Sequence, residues 1–241
     1  MSKNCVFLMC SPRGEESASY SLGNYLSGLL EEHEVSVKSF HIYKTLRNED
    51  RIYEMIDSIN KSDIILLATP LYVDSAPYMT IKTMNEITTA KEDGRIEENK
   101  RLLVVISCAG FLEYYHNNLA LRIYEQFAKK NGFIWAGGFP IGAAGTYASF
   151  PIPKILEMIK TLPEGDYRHH FYGKPAQILD SVFHNAITSI LKGEKVSDEE
   201  LKKLEFIPIP LEAYVNGGNK GWIEWAEQLG SVDKLRDKPY E

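Results

Sequence analysis

The segment Ser11-Pro12-Arg13-Gly14-Glu15-Glu16-Ser17-Ala18-Ser19 gathers three hydroxyls and a guanidinium between an apolar run, Cys5 to Cys10, and a helical pattern. A strand that ends in a hydroxyl-rich loop and re-enters as a helix is a ready anion site. The first N–H groups of the helix lack intrahelical partners and carry the positive end of its dipole, and side-chain hydroxyls complete the shell. The chain contains neither G-x-x-x-x-G-K-[ST] nor G-x-G-x-x-G, so no nucleoside-triphosphate loop or dinucleotide pyrophosphate turn is written in it. A terminal phosphate monoester suits the loop. The competing reading is a plain strand-to-helix turn in which Ser17 or Ser19 serves as N-cap.

Two further loops carry residue types suited to a flat ligand. In Thr69-Pro70-Leu71-Tyr72-Val73-Asp74-Ser75-Ala76-Pro77, a cis or rigid turn at Pro70 precedes a large aromatic and a small-residue stretch. Backbone groups of such a turn can bond the polar edge of a ring while Tyr72 covers its face; alternatively Tyr72 plugs the end of a sheet. In Ser107-Cys108-Ala109-Gly110-Phe111-Leu112-Glu113-Tyr114-Tyr115-His116, small residues permit close backbone approach and Phe111 offers a ring. Cys108 has no adjacent base and reads as a packing thiol. His116 fits either a pocket proton donor or an exposed position at the start of a helix. His169-His170 is not metal spacing, because neighbouring side chains on a helix point apart.

These loops need a scaffold, and the periodicity supplies one. Cys5–Cys10, Ile64–Ala68 and Leu102–Ile106 are fully apolar runs, as expected of parallel strands covered on both faces. Val35–Phe40 alternates and belongs at a sheet edge, and Phe133–Ala136 is a fifth strand, with Gly137–Gly142 read as loop. Helical stripes fall between them, at Leu22/Tyr25/Leu26/Leu29/Leu30, at Ile52/Met55/Ile56/Ile59, from Pro77 through Ile87, and at Ala120/Ile123/Tyr124/Phe127, ended by Gly132. The pattern predicts an α/β fold with a doubly wound five-stranded parallel sheet of order 2-1-3-4-5. Ligands then bind where the loops after strands one, three and four converge. After residue 148 the character changes: Ile155–Leu162 and Leu179–Ile190 read as helices, a capping box at Ser197-Asp198-Glu199-Glu200 opens a third, and prolines hold Phe206–Leu211 extended. The expected organisation is residues 1–148 as the ligand-binding domain, with 149–241 as a helical extension packed on it.

Bulk properties bound the partners. The composition, 44% hydrophobic and 25% charged, is that of an ordinary soluble globular chain, and 241 residues bury a substantial core. A net charge of −6 argues against nucleic acid or an anionic membrane as the main partner. No apolar stretch reaches membrane-spanning length and residues 1–10 lack a cleavable signal pattern, so a cytoplasmic location is expected. Cys5, Cys10 and Cys108 form no disulfide framework or CxxC metal site.

Together the three loops resemble those of the flavodoxin-like NAD(P)H-dependent oxidoreductases, a superfamily of FMN reductases, azoreductases and quinone reductases. Ser11-Pro12-Arg13, then Ser17-x-Ser19 and Leu22, is similar to the family's flavin-phosphate loop. Pro70-Leu71-Tyr72, followed by Pro77 and Ile81-Lys82, is similar to its P-x-Y … P-x-x-L-K segment. Ser107–Phe111, with Gly137-Gly138 and Ile141-Gly142, is similar to its fourth loop and fifth strand. The resemblance covers about residues 3–145. It implies that Ser11, Ser17, Ala18 and Ser19 hold an FMN phosphate, with Arg13 neutralising it or ordering the loop. It implies that Pro70, Leu71, Tyr72, Val73, Cys108, Ala109, Gly110 and Phe111 line the isoalloxazine. It further implies hydride transfer from NADH or NADPH to the flavin and on to a quinone, azo, nitroaromatic or free-flavin acceptor, no catalytic protein acid or base, and a homodimer. An electron carrier of flavodoxin type is the alternative. Two features depart from the family: Asp74, where many relatives have a small or neutral residue, and the tail from Phe150, which the minimal core lacks.

Overall fold

The computed structural model describes residues 3–238. Five parallel strands, β1 (Asn4–Met9), β2 (Ser36–His41), β3 (Ile64–Pro70), β4 (Leu102–Cys108) and β5 (Ile134–Ile141), form one sheet in the order β2-β1-β3-β4-β5. β1, β3 and β4 are buried almost throughout, because their unbroken apolar sequences suit a surface covered on both sides. β2 alternates and lies at the edge, half in water. Since β1 and β3 are neighbours, the chain reverses its direction of travel between them, and the crevice outside their carboxyl ends is where such a sheet binds ligands.

The helices are α1 (Ala18–Glu32), α2 (Ile42–Thr45), α3 (Glu49–Asn60), α4 (Tyr78–Glu92), α5 (Asn118–Lys130), α6 (Thr146–Ser149), α7 (Ile152–Thr161), α8 (Lys174–Lys192), α9 (Asp198–Lys202) and α10 (Leu211–Gln228). One core layer joins α1, α6, α7 and α8 to the sheet face that carries Phe7, Leu66 and Val104; the other joins α2 to α5 to the face of Val6, Ile65 and Leu103. Tail and sheet share the first layer: the Phe183 ring meets Phe139 edge-on at 5.4 Å, and Tyr25 donates a hydrogen bond to Asp180. The capping box also forms, with Ser197 Oγ accepting from Glu200 N at 3.2 Å.

One strand expectation needs correction. Residues 137–141 continue β5 instead of forming a loop. The ladder slips by one residue between Leu103↔Trp135 and Val104↔Gly137, a bulge that Gly137 permits with φ 143°. A Cβ on Gly138 would lie 2.5 Å from the Leu121 side chain, so the absent side chain lets α5 close on the strand. Glycines carry no strand signal, which hid the extension. The helical turns α2 and α6 and the long helix α10 were also missed, and Leu211, expected in the extended proline stretch, instead opens α10.

At the amino end of the sheet a cation closes the fold. Arg101 is only 1% exposed, donating Nε to Ile59 O at 2.9 Å, Nη1 to Glu97 O at 2.7 Å and Nη2 to Asn60 Oδ1 at 3.0 Å. It satisfies carbonyls at the end of α3, where a positive charge suits the dipole. Burial lowers its pKa, opposed by Glu97 and Asp63.

Candidate functional site

At the carboxyl ends of β1, β3, β4 and β5 the loops enclose a cleft of about 260 Å3. The loop after β1 and the first turn of α1 supply Ser11, Arg13, Ser17, Ala18 and Ser19 to its wall; the end of β3 and the loop after it supply Pro70, Leu71 and Tyr72; the end of β4 and the loop after it supply Cys108, Ala109 and Gly110. Ala144 and Gly145, from the turn after β5, complete it. The small-residue run Gly142-Ala143-Ala144-Gly145 was the available sequence signal for them, but it followed a stretch read as loop. Phe111 and Val73 stand at the rim, 60% and 99% exposed, outside the lining.

Backbone hydrogen bonds fasten these loops to one another. Leu71 N donates to Cys108 O at 2.9 Å, Ala109 N to Ile141 O at 2.8 Å, and Ala144 N to Ala109 O at 2.9 Å. Ala143 N donates to Phe111 O at 2.6 Å, with Ala143 at φ 47°. Gly142 allows this closeness: a Cβ there would sit 2.2 Å from Leu112 O. The floor is therefore set by main chain.

Both readings of the serine loop hold at once. Ser17 is the N-cap of α1, its hydroxyl accepting from Tyr20 N at 3.1 Å and donating to Gly14 O at 2.6 Å. Ser19 Oγ lies 3.4 Å from Ser17 Oγ, and both serines are buried. Yet the N–H groups of Ala18 and Ser19 have no acceptor among the described residues, and these residues line the cleft. Ser11 Oγ accepts from Arg13 N at 3.3 Å and keeps its own proton to give. Glu15 is drawn off to His41 Nε2 at 3.4 Å, so its carboxylate has another partner. The wall is therefore rich in donors, which is what an anion needs.

The loop after β3 turns sharply. The Thr69–Pro70 peptide is trans, and Tyr72 and Ser75 exchange backbone hydrogen bonds at 3.1 and 3.2 Å across Val73 (φ 51°) and Asp74 (φ 55°). Left-handed backbone is unfavourable for a β-branched residue, so Val73 is strained. Asp74 secures the turn by pairing with His116 Nδ1 at 2.9 Å, and His116 sits among Phe111 (ring centroids 5.4 Å) and Tyr115 (5.1 Å). The departure noted at Asp74 is thus a bridge between two rim loops, and His116 is half-buried in the turn before α5.

The thiols are buried. Burial pushes Cys108 well above the ordinary thiol range and Cys10 up to about 12, the latter opposed by a hydrogen bond from Thr80. Protonated and enclosed, they are packing groups.

The family model described as a flavodoxin-like fold matches residues 3–147. The chain belongs to that family. The match ends where the helical tail begins. No curated protein matches the chain. Among solved structures it is similar to FerB, a flavoenzyme NAD(P)H:(acceptor) oxidoreductase from Paracoccus denitrificans, at 17% identity and TM-score 0.55, over 79% of this chain and 98% of that one. It is similar to an NADH:FMN oxidoreductase (EMOB) in its apo form at 13% identity and TM-score 0.53, over 88% and 99%. It is also similar to an NAD(P)H:quinone oxidoreductase from Methanothermobacter marburgensis at 14% identity and TM-score 0.52, over 79% and 96%. At these identities the likeness is one of fold. Among the described residues no helix is long and apolar enough to cross a membrane.

Proposed function

We propose that this flavodoxin-like chain is an FMN-dependent oxidoreductase passing hydride from NADH or NADPH to a small acceptor such as a quinone, azo compound, nitroaromatic or free flavin. One observation carries the reading: a wall of free donors, the Ala18 and Ser19 amides beside Ser11 and Arg13, shares one cleft with a second wall made by Pro70–Tyr72 and Cys108–Gly110. That juxtaposition fits a molecule with a phosphate tail and a planar ring, and the residues present are compatible with FMN. The similar solved structures, oxidoreductases that take NADH or NAD(P)H, support the same class.

In this reading the amides of Ala18 and Ser19, the Ser11 hydroxyl and the Arg13 guanidinium hold the phosphate, charge-assisted on the dipole end of α1. Main chain from Pro70 to Tyr72 and from Cys108 to Gly110 orients the ring, and Tyr72, 49% exposed, is free to cover one side. When bound, the flavin supplies the hydride chemistry, and the protein's part is binding, orientation and exclusion of water. No acid or base of the chain is assigned a step.

Anaerobic mixing of the FMN-loaded protein with NADH or NADPH tests the proposal. Bleaching of the flavin absorbance within seconds, and its return on adding a quinone, is the expected result. A bound flavin that neither nicotinamide reduces would make the chain an electron carrier instead.

A further inference from the structure

Helix α10 keeps almost nothing of itself inside the chain. Of its 18 residues only Ala226 is buried, while Tyr214, whose hydroxyl donates to Gly110 O at 3.1 Å, is half-buried. Leu211, Val215, Gly218, Trp222, Trp225 and Leu229 follow at intervals of four, three, four, three and four residues. That alternation is a heptad seam, the pattern by which one helix receives another. The seam faces water: Trp222 is 62% exposed, Trp225 64% and Leu229 76%. Isolated apolar side chains are common on surfaces, whereas a continuous stripe with two indoles marks an interface.

The glycines point the same way. Gly217, Gly218 and Gly221 lie inside the helix, where glycine weakens helical structure. A Cβ at any of them would meet nothing within 4 Å, so packing within the chain does not call for them. Gly218 stands in the seam itself, where a bare backbone leaves room for close approach from outside.

We propose that α10 pairs antiparallel, across a two-fold axis, with α10 of a second copy of this chain. The seam selects that occupant because it complements itself. With the axis midway between positions 218 and 222, Trp222 lies against Gly218 of the partner subunit, Trp225 against Val215 of the partner subunit, and Leu229 against Leu211 of the partner subunit. Each indole meets a small residue, as an isologous interface requires. No acidic residue falls level with another, since Glu212, Glu224 and Glu227 match Gln228, Asn216 and Ala213. A parallel pairing would stack Trp222 on its own copy and leave Gly218 facing Gly218 across a void. A lipid surface fits poorly, because α10 carries three glutamates and a single lysine, while helices that lie on anionic bilayers are basic. The inference stands apart from the flavin reading. It also sets the second copy beside the cleft, because Tyr214 ties α10 to the rim at Gly110.

Sedimentation equilibrium of the full chain, with two exchange variants, tests the pairing. The wild-type chain is expected to be a dimer at micromolar concentration. G218W places indole on indole and W222G opens a void, so each weakens the dimer by about 30-fold or more. The double variant G218W/W222G merely swaps the two sides of the same contact and restores dimerisation to within about threefold of wild type. Under mild oxidation, V215C and W225C chains mixed together form a mixed disulfide, a readout that needs neither glycine nor Trp222 altered. A wild-type chain that stays monomeric at high micromolar concentration overturns the proposal, as does a double variant no better than the single ones. A V215C–V215C link as the main product overturns it in favour of parallel pairing. Flotation of a monomer with anionic vesicles overturns it in favour of a lipid surface.

Discussion

The two ends of the same sheet are built on opposite terms. At the amino ends of the strands, Arg101 is buried with its donors matched to the carbonyls of Ile59 and Glu97 and to the Asn60 side chain, and the β-strands begin in register. At the carboxyl ends, the amides of Ala18 and Ser19 have no acceptor among the described residues, and the buried Ser107 Oγ and Asn117 Oδ1 have no hydrogen-bond partner among them either. Three of the four described non-glycine residues with positive φ, Val73, Asp74 and Ala143, lie in the loops at this end. One end spends its polar groups on closure; the other withholds them and tolerates strain. Groups left unsatisfied are costly inside a fold and useful at a site, where a ligand can satisfy them.

Substitutions at the two ends should therefore separate stability from binding. The largest effect is expected from R101M, which strands buried carbonyls at the amino end. It should cost about 3 kcal/mol or more, lowering Tm by roughly 10 °C in thermal unfolding, while FMN affinity below the transition stays as it was. G142A comes next and acts at the other end: its Cβ would lie 2.2 Å from Leu112 O, so the loop after β4 must move. About 1–3 kcal/mol of stability and at least tenfold in FMN affinity should go together, read by unfolding and by fluorescence titration.

A18P cuts the two properties apart most cleanly. Position 18 opens α1 behind an extended Ser17 (φ −98°, ψ 149°), a site where proline is well tolerated. Stability should stay within about 0.5 kcal/mol, whereas the lost N–H should weaken FMN binding by about tenfold or more. The smallest effect is expected from V73N, because asparagine accepts left-handed backbone. Stability should rise by up to about 1 kcal/mol in denaturant titration, with FMN binding unchanged.

The amino-acid sequence disclosed this division unevenly. Strands such as Ile64–Pro70 and Leu102–Cys108 were legible because burial on both faces leaves an unbroken apolar run, and the sheet order followed from the edge character of Ser36–His41. The loops around Ser17, Pro70 and Gly110 were legible as a convergence because chain order fixes which strand ends meet. β5 was cut short at Ala136 because Gly137 and Gly138 speak for a bulge and a close helix, not for a strand. The contribution of Ala144 and Gly145 depended on that same strand running to Ile141. The Asp74–His116 pair joins residues 42 positions apart, a contact no local pattern encodes. α10 escaped notice because three glycines mask its helical propensity, and its heptad spacing matters only once the helix is seen standing in water.

Titration of the protein with FMN and with riboflavin, side by side, tests most directly whether the carboxyl end holds a phosphorylated flavin by its tail. FMN should bind at least about 100-fold more tightly than riboflavin, and A18P should narrow the gap. Equal affinity for the two flavins, or failure to bind either, would contradict the account.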